Sequence, residues 1–105
     1  MMEYMSCSVS GRLEKLEHDT YKVIHDSCCF RLNRTVNGDV FFTTVTHDER
    51  NDLRSSRIMS LQYADGALRV TTRNSVYYMS SSDNKNMELI KNFFQESDRL
   101  KKLKN

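Results

Sequence analysis

A chain of 105 residues with 16 Lys and Arg against 14 Asp and Glu carries a net charge of +2 at pH 7. That is room for one modest core, and no whole-molecule charge to attract a polyanion. Hydrophobic residues make up 38% and charged residues 29%, so the chain either folds a one-sided sheet with a wet face or buries more apolar surface by oligomerising. No apolar run approaches the roughly 18 residues of a membrane span. The segment MMEYMSCSVSGRL lacks the basic stretch and apolar run of a signal peptide.

Residues 1–10 alternate loosely and suit a first strand or an arm. Leu13 and Leu16 with their flanking charges fit a short helix or a strand, and 12–17 stays open between the two. Tyr21 and Val23 on one face predict a strand over 21–25, after a turn at His18-Asp19-Thr20. Cys28 to Val45 reads as a hairpin with Asn37-Gly38 at its tip. A strict two-residue loop would set Phe30 and Leu32 on one face and Val40 and Phe42 on the other. A three-residue loop with Gly38 in the left-handed region instead gathers Cys28, Phe30, Leu32, Val40 and Phe42 on one face and sends Phe41 and Val45 to the other. The bulged turn buries more apolar surface together and is the expectation. Thr46 to Ser56 is a charged loop, long for a hairpin connection, with room for a helical turn or a binding loop.

Arg57 to Met79, reading RIMSLQYADGALRVTTRNSVYYM, holds the strongest pattern. Asp65-Gly66 is a two-residue hairpin signal, because both positions tolerate the positive φ that such turns need. The turn pairs Tyr63 with Leu68, Leu61 with Val70 and Met59 with Thr72, all on one face. The same register sets Arg57 opposite Asn74. Ser80-Ser81-Ser82-Asp83 then breaks the strand pattern and supplies helix caps. Met87, Ile90, Phe93, Phe94 and Leu100 recur at helical spacing, predicting an amphipathic helix over 84–103 with Glu88, Lys91, Gln95, Asp98 and Lys102 on its wet face. The expected fold is α+β: a mostly antiparallel β-sheet or small barrel of two or more hairpins, followed by one C-terminal amphipathic helix, in a single domain over 1–105.

Cys7, Cys28 and Cys29 are odd in number and two are adjacent, a poor disulfide framework that fits a reducing cytoplasm. Neighbours on a strand point to opposite faces, so Cys28 and Cys29 cannot easily share a metal, and their spacing from His18 and His25 matches no common zinc pattern. His25-Asp26 near Cys28 has no nucleophile elbow or oxyanion turn beside it. Three separated glycines cannot build a Gly-rich phosphate loop. The expectation is therefore no catalytic residue, no metal and no cofactor.

Arg69, Thr71, Arg73 and Ser75 alternate onto one strand face, where guanidinium forks and hydroxyls can receive a phosphate or carboxylate. With Arg57 and Asn74 across the hairpin and Tyr77 or Tyr78 available to stack on a base, the candidate ligand-binding set is Arg57, Arg69, Arg73, Asn74 and Tyr77. The plainer reading is a solvated sheet face with Asn74 in a turn between two short strands. Arg99, Lys101, Lys102 and Lys104 crowd the C-terminus, where they suit a helix dipole. No aromatic residue interleaves them, which argues against a nucleic-acid partner.

The run SSRIMSLQYADGALRVTTRNSVYYM resembles a segment of small phage-encoded proteins in which Ser-Arg-hydrophobic leads through a turn into Thr-x-Asn-Ser-x-Tyr. The matching residues are Ser56, Arg57 and Ile58, then Thr72, Asn74, Ser75 and Tyr77. Proteins similar in this segment include Thoeris anti-defence sponges, which sequester a cyclic ADP-ribose signal. The likeness covers 56–79, about a fifth of the chain. It implies a phage origin, a compact β domain, self-assembly as a homo-oligomer and action in the host bacterial cytoplasm. The function expected on these grounds is non-enzymatic sequestration of a phosphate-bearing signalling nucleotide. Two alternatives stand beside it: a protein–protein inhibitor of a host enzyme, using the 46–56 loop or a sheet edge, and a nucleic-acid-binding module using the basic C-terminus.

Overall fold

The computed structural model describes residues 2–4, 8–46, 52–64 and 67–104. Among them run strands β1 (Met2–Tyr4), β2 (Val9–Glu17), β3 (Thr20–Thr35), β4 (Val40–Val45), β5 (Ile58–Ala64), β6 (Ala67–Thr72) and β7 (Val76–Ser80), then helix α1 (Asn84–Lys104). Every pairing is antiparallel. The long β3 is the spine. Its Phe30 pairs with Val9 of β2 on one side and with Thr44 of β4 on the other, and β1 continues the β2 side at Asn33–Thr35. From β2 the order runs on through β7 and β6 to β5. The sheet is not closed into a barrel, so of the two expected architectures the open one is found.

Residues 12–17 are strand. Both edges of β2 are hydrogen-bonded, to β3 and to β7, and this pairing outweighs the local helical alternative. Gly11 sits where β2 meets the end of β7. A Cβ there would lie 2.1 Å from the Ser80 carbonyl oxygen, so only glycine allows the approach. His18-Asp19 turns the chain into β3, with His18 at a φ of 56°. Thr20 already belongs to β3, opposite Glu17.

The β3–β4 hairpin has the expected bulged tip. Thr35 N donates to Asp39 O at 2.8 Å and Gly38 N donates to Thr35 O at 3.0 Å, leaving Val36, Asn37 and Gly38 as the loop, with Gly38 at a φ of 88°. Leu32 then faces Phe42, and Cys28, Phe30, Leu32, Val40 and Phe42 are all buried in one core. On the other face Phe41 is covered by the Arg54 guanidinium, 4.3 Å from its ring centre, while Val45 is exposed.

The Asp65-Gly66 turn lies outside the described residues. The strands that flank it pair as expected at Ala64–Ala67, Tyr63–Leu68 and Leu61–Val70. The expected pairing of Met59 with Thr72 is not found. Ser60 faces Thr71 and Ile58 faces Thr72, so Met59 is the extra residue of a β-bulge. Ile58 takes the buried place, 4% exposed, and Met59 turns outward, 53% exposed.

The core joins all of this to α1. Phe42 packs on Phe30 at 4.7 Å between ring centres and edge-on against Tyr77 at 4.9 Å. Asp83 caps the helix: its carboxylate accepts from Asn86 N at 3.2 Å and its carbonyl accepts from Met87 N at 3.1 Å. Met87, Ile90 and Ser97 are fully buried, and Phe93 and Phe94 pack against the core. Arg34 lies over the Phe93 ring and donates to Ser97 Oγ at 3.0 Å. No helix among the described residues is long and apolar enough to cross a membrane.

Candidate anion-binding cleft

Four loops and ends meet at one edge of the sheet. The chain before β5 is fixed to β4: Phe42 N donates to Ser55 Oγ at 2.9 Å, and Ser55 N donates to Phe42 O at the same distance. The turn between β6 and β7 is closed by Thr72, whose N and Oγ1 both donate to Ser75 O, at 2.8 and 3.0 Å. The two pieces are then tied together. Arg73 N donates to Arg57 O at 2.9 Å, and Asn74 N donates to Ser56 Oγ at 3.1 Å. The third contributor is the β3–β4 loop with Asp39, and the fourth is the last turns of α1 with Lys101.

The bulge at Met59 decides which side chains face one another. Because Ile58 rather than Met59 opposes Thr72, the residue opposite Arg57 is Arg73, and not Asn74 as the unbroken register predicts. Asn74 is exposed at the turn instead of projecting from the apolar side, and Arg73 belongs to the same turn rather than to the β6 face. Ser56, Arg57, Arg73, Asn74 and Asp39 line a cleft of about 390 Å³. A second cleft, of about 280 Å³, shares Asp39 and Arg57 and extends over Ile58, Met59 and Phe94 to Asp98, Lys101 and Lys102.

Asp39 stands at the junction. Its Oδ1 accepts a hydrogen bond from Lys101 Nζ and lies 3.7 Å from Arg57 Nη1. The Lys101 hydrogen bond, with the Lys101 and Arg57 charges, holds the Asp39 carboxyl below the usual carboxylate range. Lys102 pairs with Asp98 at 3.1 Å. Arg73 makes no ion pair among the described residues, so the uncompensated charge sits at the Arg73 end. Paired guanidinium groups beside a hydroxyl and an amide are the donors that suit a phosphate or carboxylate.

Of the five residues expected in the site, the structure brings together Arg57, Arg73 and Asn74. Arg69 lies outside the cleft, on the exposed face of β6 between Gln62 and Tyr78. Tyr77 is corrected to a core residue: it is 5% exposed and packed against Phe42, because odd-numbered positions of β7 face inward. Tyr78, on the outer face, packs against Tyr21 at 5.6 Å. Sequence reasoning misses Asp39, Ser56, Met59, Phe94 and Lys101. Asp39 and Lys101 are 62 residues apart, and no local pattern signals such a pair.

Cys28 and Cys29 lie elsewhere. Cys28 and Cys29 are both free, and with Ser10, Ser27, Val45 and Thr46 they line a separate cleft. Burial, with help from Cys29 and Asp52, pushes the Cys28 thiol up to about 11, which leaves it unreactive. Among the described residues no group of three or more His, Cys, Asp or Glu is placed to hold a metal ion.

Compared with protein-family models, curated proteins and solved structures, the chain matches none.

Proposed function

We propose that this is a non-enzymatic binding protein that sequesters a phosphate-bearing signalling nucleotide in the Arg57–Arg73 cleft. The observation that carries the reading is the opposition of Arg57 and Arg73 across two tied loops, with Arg73 free of any carboxylate among the described residues. Backbone hydrogen bonds fix the two loops that carry Arg57 and Arg73, so the loops themselves need no ordering when a ligand binds. The phage origin, host-cytoplasm setting and self-assembly implied by the segment 56–79 belong to the same proposal. The basic C-terminus is a weaker candidate for a nucleic-acid surface, since Lys101 and Lys102 are already paired with carboxylates.

The test is titration calorimetry with linear and cyclic nucleotides, on the purified chain and on Arg57→Ala and Arg73→Ala. Each substitution removes a charge-assisted hydrogen bond and is expected to weaken binding by roughly ten- to a hundredfold. Native mass spectrometry of the same samples reads the oligomeric state and any retained ligand. Absence of heat with every nucleotide overturns the reading.

A further inference from the structure

We infer that the ligand is a ribonucleotide whose phosphate groups all lie at one end, with its ribose at Asp39 and its base against Phe94 and Met59; this rests on the phosphate-binding reading of the Arg57–Arg73 cleft. Three observations place the parts. First, the two clefts are neighbours, with Asp39 and Arg57 in the lining of both. Their volumes of about 390 and 280 Å³ sit near the lower end of the roughly 300–1,000 Å³ of ordinary ligand sites. Two such spaces side by side, with two residues in common, suit a ligand larger than a free phosphate.

Second, charge is distributed unequally between them. At the far end both cations are matched, Lys101 by Asp39 and Lys102 by Asp98, whereas Arg73 has no matching carboxylate among the described residues. Among the described residues, surplus positive charge therefore exists at one end only. A ligand with anionic groups on both sides of its ring would leave one group facing neutralised lysines and the Asp98 carboxylate. The far cleft instead offers an apolar wall of Ile58, Met59 and Phe94, the surroundings for a neutral planar base.

Third, the junction carries a hydrogen-bond acceptor. Lys101 and Arg57 both contact Oδ1 of Asp39, and Oδ2 has lone pairs for a ligand donor. Held ionised by its two cations, this carboxylate can only accept. A phosphate or a second carboxylate is repelled there, and a pair of sugar hydroxyls is matched. Asp39 thus separates the phosphate end from the base end and reads the ribose between them.

Calorimetry at one fixed salt concentration tests this with inorganic phosphate, adenosine, adenosine 5′-monophosphate, its 2′-deoxy analogue, and the guanosine and uridine monophosphates. At least one ribonucleotide is expected to bind about tenfold or more tighter than phosphate, and severalfold tighter than its 2′-deoxy analogue. Phe94→Leu lowers nucleotide affinity by roughly fivefold or more and leaves phosphate affinity unchanged. Should that variant fail to fold, Met59→Ser, at an exposed position, carries the same comparison. Asp39→Asn gives the opposite sign at the two ends: phosphate binds severalfold tighter, because Arg57 loses its competitor, and the preference for ribose disappears. If phosphate binds and no nucleotide binds tighter, or the 2′-deoxy analogue binds as well as its ribose parent, the inference falls and the phosphate site stands. If phosphate and all nucleotides fail to bind, both fall.

Discussion

The β3–β4 and β5–β6 hairpins have similar sequence signatures, an Asn-Gly in one and an Asp-Gly in the other, yet they depart from regularity in opposite places. In β3–β4 the extra residue is at the tip, where Gly38 takes a φ of 88° and the strands below it pair without a break. In β5–β6 the extra residue is Met59, at the root, beyond the regular pairs that run from Ala64–Ala67 to Ser60–Thr71. An irregularity at the tip shifts the whole hairpin by one register and so fixes which face is buried. An irregularity at the root leaves the buried face intact and re-aims only the residues outside the hairpin. Here that is Arg57, which it sets against Arg73. The tip of one hairpin and the root of the other meet at the same cleft, through Asp39 and Arg57.

The contrast is broken most severely by removing what the β3–β4 register buries. Phe42 is fully buried against Phe30 and Tyr77, and Phe42→Ala is expected to destabilise the fold by about 3–5 kcal/mol in urea unfolding. A loss under about 1 kcal/mol would mean that this face is not the core. The tip comes next. Gly38→Ala puts a Cβ in a left-handed conformation and 3.3 Å from Lys101 Cβ, a cost of about 1–2 kcal/mol from the backbone alone. Asn at the same position is expected to recover part of that loss, since its side chain tolerates this conformation.

Legibility in the sequence divides along the same line. The tip bulge of β3–β4 is legible because a glycine marks it, and because of the two- and three-residue loops only the three-residue one gathers Phe30, Leu32, Val40 and Phe42 on one face. The apolar face of α1 is legible from spacing, and the pairs nearest the β5–β6 turn from the alternation of Leu61, Tyr63, Leu68 and Val70. The root bulge is not legible. Ile58 and Met59 are both apolar, so either can fill the buried place opposite Thr72, and the pattern does not choose. Arg57, Arg73 and Asn74 therefore stand out as a group, but with the wrong partners. Asp39 and Lys101 give no sign, because only the closed fold brings them together. Tyr77 suits the site by its chemistry and belongs to the core by its parity.

Deleting Met59 sharpens the difference between tip and root. Ser60 faces Thr71 and Ile58 faces Thr72, so removing the residue between them restores strict alternation without moving either pair. The variant is expected to stay folded, with a stability within about 1 kcal/mol of the parent, and to keep phosphate binding at Arg57 and Arg73. It loses the side chain that lines the second cleft, so any nucleotide binds more weakly in calorimetry. Collapse of the fold on deletion would show that the bulge is structural rather than a feature of the cleft.

The smallest expected effect lies where the two hairpins touch. Asp39 at the tip joins Lys101 of α1 and faces Arg57 at the root. Its carboxyl is held below the ordinary value of 3.8, first by the Lys101 hydrogen bond. A group whose folded pKa is depressed adds stability that is complete above its unfolded pKa and is lost as pH falls through the folded value. The contribution of this pair is thus present at pH 5 and above, and fades below about pH 4. Both side chains are about one-third exposed, so solvent screening keeps it to no more than about 1 kcal/mol. Other carboxylates titrate over the same range, so the quantity to measure is a difference: the fall in urea midpoint between pH 5 and pH 3 for the parent, minus that for Lys101→Met. A positive difference fastens the tip of β3–β4 to the end of α1. A difference of zero means that the Lys101 contact adds nothing to stability, and that Arg57 is the cation that holds the Asp39 carboxylate.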